Sequence, residues 1–265
     1  MNGLLTTVSS PWAQVIGPIT GAMRAAGHEL WLSGGAPREL LSGHGPEAVR
    51  DLDLTGTAPA GRFVELTRQA LEEDGETYEL RIPVSPDTLV CCVLGDDPSA
   101  PLVEYRGLGV GDFGFPATGT DLVADSLQRD FTVNSILYDV ERHLVIDASE
   151  RGLEDLAVPG RALVPVNTSS DPLVQASVAV RAMKFVVRWE ADGPVDTDEL
   201  RAWAQGLPDD LACRVRERAP QNWSRLRTLH RECLDGVPTD RQTAVAGILG
   251  PGVENLVRAL RQDAE

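Results

Sequence analysis

The stretch from Leu30 to Thr55, LWLSGGAPRELLSGHGPEAVRDLDLT, constrains the chain most. An apolar run (Leu30, Trp31, Leu32) stops at Gly34-Gly35, a short helical piece with Arg38 follows, and a second strand-like run carries Asp51 and Asp53. In a strand, residues two apart point to the same side, so Asp51 and Asp53 are expected to lie side by side. Such a pair repels itself unless a cation sits between its members. Hard oxygen ligands suit Mg²⁺, which binds one or two carboxylates together with substrate phosphates. The glycine pair admits two readings. Its backbone N–H groups can approach a phosphate closely, helped by a helix starting near Ala36, or it is an ordinary strand-to-helix turn.

At 265 residues the chain has enough material for one large domain or two modest ones. Its net charge of −16 disfavours a long nucleic-acid footprint, although a local basic patch is compatible with an acidic remainder. No apolar run approaches the roughly 20 residues that span a bilayer. The start MNGLLTTVSSPWAQ lacks the basic and then apolar pattern of a secretory leader, so a cytoplasmic protein is expected. Cys91, Cys92, Cys213 and Cys233 show no Cys-x-x-Cys spacing, and the Cys91-Cys92 pair reads as buried free thiols in an apolar strand.

In chain order, 11–27 and 61–74 have helical periodicity, and 78–84, 88–94 and 102–105 read as strands. The order predicts an α/β or α+β domain with a mixed sheet. Glu104 has two readings: an exposed edge-strand residue, or a third carboxylate facing the same pocket if its strand lies beside that of Asp51 and Asp53. The glycine-rich stretch Gly107 to Thr120 is either a lid over a nucleotide or a disordered insertion. Arg129, Asp130 and Asn134 are expected on a helix, where Asp130 and Asn134 share a face. An Arg suits phosphate, and Asp and Asn suit sugar hydroxyls or an amide edge. The competing reading is a solvated salt link, against which stand the surrounding Phe131, Val133, Ile136 and Leu137.

Together these pieces resemble the nucleotidyltransferase head domain of the CCA-adding enzyme and bacterial poly(A) polymerase family. The matching residues are Gly34-Gly35-Ala36-Pro37-Arg38-Glu39, then Asp51-Leu52-Asp53, then Gln128-Arg129-Asp130-Phe131-Thr132-Val133-Asn134-Ser135, and Gly152-Leu153-Glu154-Asp155-Leu156. The resemblance implies a polymerase-beta-like α+β head over residues 1–160 and an all-α neck with a truncated body over 161–265. It also implies transfer of a nucleoside monophosphate from an NTP to an acceptor hydroxyl, with release of pyrophosphate. Two Mg²⁺ ions, about 3.5–4 Å apart in such sites, would be held by Asp51 and Asp53, with Glu104 as the third ligand. Gly34, Gly35 and Arg38 would meet the triphosphate, and Arg129, Asp130 and Asn134 the phosphate and ribose.

The departures bear on substrate. Glu39 stands for the family's Asp and Gln128 for an Arg. In the helix expected at 172–188, Val174, Gln175 and Val178 stand where the family's base-reading Glu, Asp and Arg would be, while Arg181 and Lys184 either face the base or pack the neck. Later helices are expected at 197–205, 208–218, 223–233 and 241–249. Three functions follow from these features: an Mg²⁺-dependent, ATP- or other NTP-using transferase with a small-molecule acceptor, a minimal tRNA or RNA 3′-end transferase, and a nucleotide-binding protein without turnover.

Overall fold

The computed structural model describes residues 12–49, 51–73, 79–81, 90–94, 101–109, 118–157 and 160–262. Chain contacts divide it into two units, residues 1–129 with 133–156, and residues 130–132 with 157–265.

The first unit runs α1 (Ala13–Ala25), β1 (Leu30–Ser33), α2 (Gly35–Leu41), β2 (Leu52–Gly56), α3 (Ala60–Glu73), β3 (Glu79–Arg81), β4 (Val90–Leu94), β5 (Pro101–Gly107), α4 (Leu122–Ser126), β6 (Ile136–Asp139), β7 (Leu144–Asp147) and α5 (Gly152–Leu156). Its strands form a mixed sheet in the order β3-β4-β5-β2-β1-β6-β7. The β2–β5 pair is parallel, and the other pairs are antiparallel. The α+β head expected from the sequence is present.

Strand alternation divides the sheet's two faces. Leu52, Leu54, Val103 and Tyr105 join the core made with Ile16, Ile19 and Met23 of α1 and Phe63 and Leu66 of α3. Phe63 stacks on Tyr105 with ring centroids 3.9 Å apart, which fixes α3 over β5. Asp53 and Glu104 alternate with these apolar residues and therefore project from the opposite face. Trp31 and Leu137 cover part of that face in a smaller cluster with Leu108.

The second unit contains β8 (Arg161–Ala162), α6 (Pro172–Trp189), β9 (Val195–Asp196), α7 (Asp198–Ala204), α8 (Leu211–Arg218), α9 (Pro220–Leu234), α10 (Thr239–Leu249) and α11 (Pro251–Gln262). Asp171 starts α6 by accepting from the N–H groups of Leu173 (2.8 Å) and Val174 (3.3 Å), with Pro172 in the first turn. The buried face of α6, including Val178, Ala182, Met183, Phe185 and Trp189, packs against α8, α9, α10 and α11. No described helix is long and apolar enough to cross a membrane.

Two expectations are corrected, and one helix is added. Asp51 lies just before β2 rather than within it: β1 pairs with β2 only as far as Ser33↔Asp53, because the chain turns away at Gly34. Arg129, Asp130 and Asn134 do not share a helix. After α4 the backbone leaves helical geometry: the Asp130 carboxylate accepts from the Phe131 N–H (2.9 Å), Thr132 N–H donates to Val164 O, and residues 132–134 form a single 3₁₀ turn. Helix α11 was not expected. Its apolar stripe of Val253, Leu256, Val257 and Leu260 is clear, but it follows a Gly-Pro-Gly break that reads as a terminator. Most of the glycine-rich stretch expected as a lid or insertion, residues 110–117, lies outside the described residues.

Candidate active site

The turn from β1 into α2 needs glycine at Gly34 for two reasons. Its φ is +66°, and a Cβ there would lie 2.1 Å from Asp53 Oδ2. That close approach lets the Asp53 carboxylate accept a hydrogen bond from the Gly35 N–H. The β2–β5 register then sets Glu104 directly beside Asp53 on the neighbouring strand. Glu104 is therefore not on an edge strand, since β5 lies between β4 and β2.

These acids sense one another. Burial first, and then repulsion from Asp51, push Asp53 above the ordinary carboxylate range, against the Gly35 N–H and the charges of Arg129 and Arg38. Glu104 is raised by burial and then by Asp53 and Asp51. Among the described residues, no three His, Cys, Asp or Glu side chains are grouped closely enough to hold a metal ion as they stand. The donor chemistry fits a hard divalent cation: partly buried oxygens, mutually repelling, at adjacent register positions.

The surrounding cations are held by specific partners. Arg38 is buried and donates to Glu39 Oε1 through Nε (3.3 Å) and Nη2 (3.0 Å), and through Nη1 to Asn134 Oδ1. Its role in tying α2 to the 132–134 turn is thus structural as well as electrostatic. Arg129 is clamped by Asp125, a residue the sequence reading did not single out. Asp125 Oδ2 accepts from Arg129 Nε (2.9 Å) and Nη2 (2.7 Å), while Oδ1 accepts from Arg106 Nη2 (3.0 Å) and the Gly109 N–H (2.8 Å). Burial pushes the Asp125 carboxyl up, but Arg129, Arg106 and the Gly109 N–H outweigh it and hold it below the usual range. The signal that could have found it is its i,i+4 spacing to Arg129.

The second unit holds the remaining candidates. Asp130 Oδ2 accepts from Arg181 Nη1 (3.3 Å), so these two are brought together. Lys184 lies over the Phe185 ring, 5.6 Å from its centroid. Val178 is buried, and Val174 and Gln175 are half-buried, on the same helix. Helices α8 and α9 also carry the exposed Arg214, Arg218, Arg225, Arg227 and Arg231.

Residues 107–159 match the family model of the Poly A polymerase head domain. Among curated proteins, no sequence matches the chain. Among solved structures, the chain is similar to the Bacillus stearothermophilus CCA-adding enzyme in complex with CTP, at TM-score 0.61 and 20% identity over 97% of this chain and 58% of that one. It is also similar to the Thermotoga maritima CCA-adding enzyme complexed with tRNA, at TM-score 0.61 and 16% identity over 93% and 53% of the two chains. A tRNA nucleotidyltransferase complexed with a primer tRNA and an incoming ATP analog gives TM-score 0.56 and 19% identity over 92% and 60%. The chain thus spans between half and two thirds of the length of these relatives. Residues 107–159 thus match the Poly A polymerase head domain, and the chain as a whole has the fold seen in the CCA-adding enzymes.

Proposed function

We propose that the chain is an Mg²⁺-dependent nucleotidyltransferase that moves a nucleoside monophosphate from an NTP to the hydroxyl of a small-molecule acceptor. The acceptor oxygen attacks the α-phosphorus, the bond to the β-phosphate oxygen breaks, and pyrophosphate leaves. The observation that supports this best is the juxtaposition of Asp53 and Glu104 on parallel β2 and β5, with Asp51 electrostatically coupled to both. Asp51, Asp53 and Glu104 would hold the metal, which when bound neutralises developing phosphate charge and orients the reacting oxygens. Gly34 and Gly35 give the triphosphate close access to backbone, and Arg129 supplies a guanidinium beside Asp53. On the resemblance alone, Asp130, Arg181 and Lys184 are proposed as nucleotide contacts. Arg38 and Asn134, hydrogen-bonded to each other, support the turn and the phosphate side of the site.

A small acceptor is favoured because the base-reading positions are occupied by Val174, Gln175 and Val178 and the chain carries a net charge of −16. A second reading, RNA as acceptor, is favoured by the exposed arginines of α8 and α9. Labelled NTPs incubated with Mg²⁺ and either tRNA or a pool of small hydroxylated metabolites separate the two. A labelled small product supports the first reading, and extended RNA replaces it with the second. If NTPs stabilise the protein against heat and neither product forms, the activity is lost and nucleotide binding alone remains.

A further inference from the structure

The buried carboxylate of Asp125 is tied to the strand pair that carries the acids. Leu108 N–H donates to Gly56 O (2.8 Å), continuing the β2–β5 pairing that sets Asp53 beside Glu104, and the next N–H along the chain, that of Gly109, donates to Asp125 Oδ1 (2.8 Å). Arg106 Nη2 donates to the same oxygen (3.0 Å). The Asp125 side chain is 2% exposed, so it is enclosed as well as anchored. Two backbone hydrogen bonds wrap the chain through one more turn after α4, from Gln128 N–H to Asp125 O (3.0 Å) and from Arg129 N–H to Ser126 O (3.1 Å). Arg129 therefore comes to lie one turn beyond Asp125, where side chains four residues apart meet.

That meeting uses one edge of the Arg129 guanidinium. Nε and Nη2 both donate to Asp125 Oδ2, at 2.9 and 2.7 Å, and among the described residues the side chain makes no other hydrogen bond. The five N–H donors of a guanidinium form a rigid fork, so the direction of the two on Nη1 is set once the opposite edge is held. The side chain is 15% exposed, which restricts its other rotamers. Its charge reaches the acids, where it lowers Asp53 against the effect of burial. A guanidinium oriented before a ligand arrives loses less freedom on binding, and its hydrogen bonds to phosphate are charge-assisted.

We propose that Asp125 is a positioning residue of the nucleotide site: it holds the Nε–Nη2 edge of Arg129 so that the Nη1 edge is presented to a phosphate oxygen of the NTP. The assignment rests on the nucleotide reading given above and names the residue through which its arginine is oriented. The strand pair that places the acids thus also places the phosphate donor, by way of Gly109 and Asp125.

The test is a double-mutant cycle, read by calorimetric titration of inorganic tripolyphosphate and of an Mg²⁺–NTP into the full chain. Asp125→Asn keeps an acceptor for the Gly109 N–H and removes the charge that grips Arg129; it is expected to weaken both ligands about tenfold. Arg129→Gln is expected to weaken them about thirtyfold, and the double variant no further than Arg129→Gln alone, because Asp125 acts through Arg129. A loss routed through Arg106 or through disturbance of the Gly109 stem would persist when Arg129 is already gone. Losses that multiply in the double variant, or full affinity in Asp125→Asn, therefore overturn the positioning role while leaving the nucleotide reading intact. If the Asn protein does not fold, Arg129→Lys is the variant to read: it keeps the charge without the two-donor edge and is expected to lose about fivefold, and full affinity there overturns the proposal. A wild-type protein that binds neither ligand overturns both readings.

Discussion

At the scale of single residues, the burial of Asp53 as a carboxylate opposes the stability of the free protein. Its pKa is raised by burial and by Asp51, so the ionised form is disfavoured in the fold relative to the unfolded chain. A carboxyl raised in this way contributes stability that is complete below its unfolded pKa and is lost as pH rises through the folded value. Wild type is therefore expected to gain stability relative to Asp53→Asn as pH falls from neutral toward 4. Thermal melts across that range check it, and parallel curves would contradict it. At neutral pH the same variant is expected to melt no lower than wild type, yet to lose about a thousandfold in turnover. Gly34→Ala fails differently, because its positive φ and the approach to Asp53 leave no room for a methyl group. It is expected to cost about 1–3 kcal/mol in denaturant unfolding and to abolish activity. Asp51, Asp53 and Gly34 could be singled out as candidates from residue type and spacing, and Arg129 from its motif. Asp125 and Arg106 could not, since a carboxylate shared by a strand and a helix end is created only when β5 and α4 meet.

At the scale of elements, short-range chemistry was readable where it is local. The β1–turn–α2 unit, β2, α3 and α6 lie within a few residues of their expected bounds, because each has its own apolar period and its own punctuation. Helix α6 shows this well: Asp171 and Pro172 mark its start in the sequence, and the Asp171 side chain caps it. Asp171→Ala is expected to cost about 1 kcal/mol in urea unfolding, and an unchanged midpoint would mean the cap adds nothing. The segment from Arg129 to Asn134 was misread for the opposite reason. Its helical spacing is overridden by long-range pairing, with Phe131 bridging to Pro165 and the Val166 N–H donating to Asp130 O. This divergence sends Asp130 to Arg181 and Asn134 to Arg38, where a helix would have kept them on one face. The adjacency of β5 to β2, which sets Glu104 beside Asp53, is likewise a tertiary fact that no local pattern encodes.

At the scale of the whole molecule, charge is distributed against its average. A chain of net charge −16 places Arg214, Arg216, Arg218, Arg225, Arg227 and Arg231 on two consecutive helices, α8 and α9, with Arg216 stacked on Trp223 at 4.0 Å. If RNA were the acceptor, its apparent affinity would fall steeply between low and moderate salt, whereas transfer to a small acceptor is expected to change little. Every reading of substrate depends on a working acid pair, so the most direct measurement concerns that pair. Purified wild type, Asp51→Asn and Asp53→Asn would be given an α-labelled NTP, Mg²⁺ and the acceptor found to become labelled, with pyrophosphate quantified alongside transferred label. The account predicts one pyrophosphate per labelled product for wild type and neither product from the two variants, although both remain folded. Equal turnover by either variant, or label transferred without pyrophosphate, would contradict it.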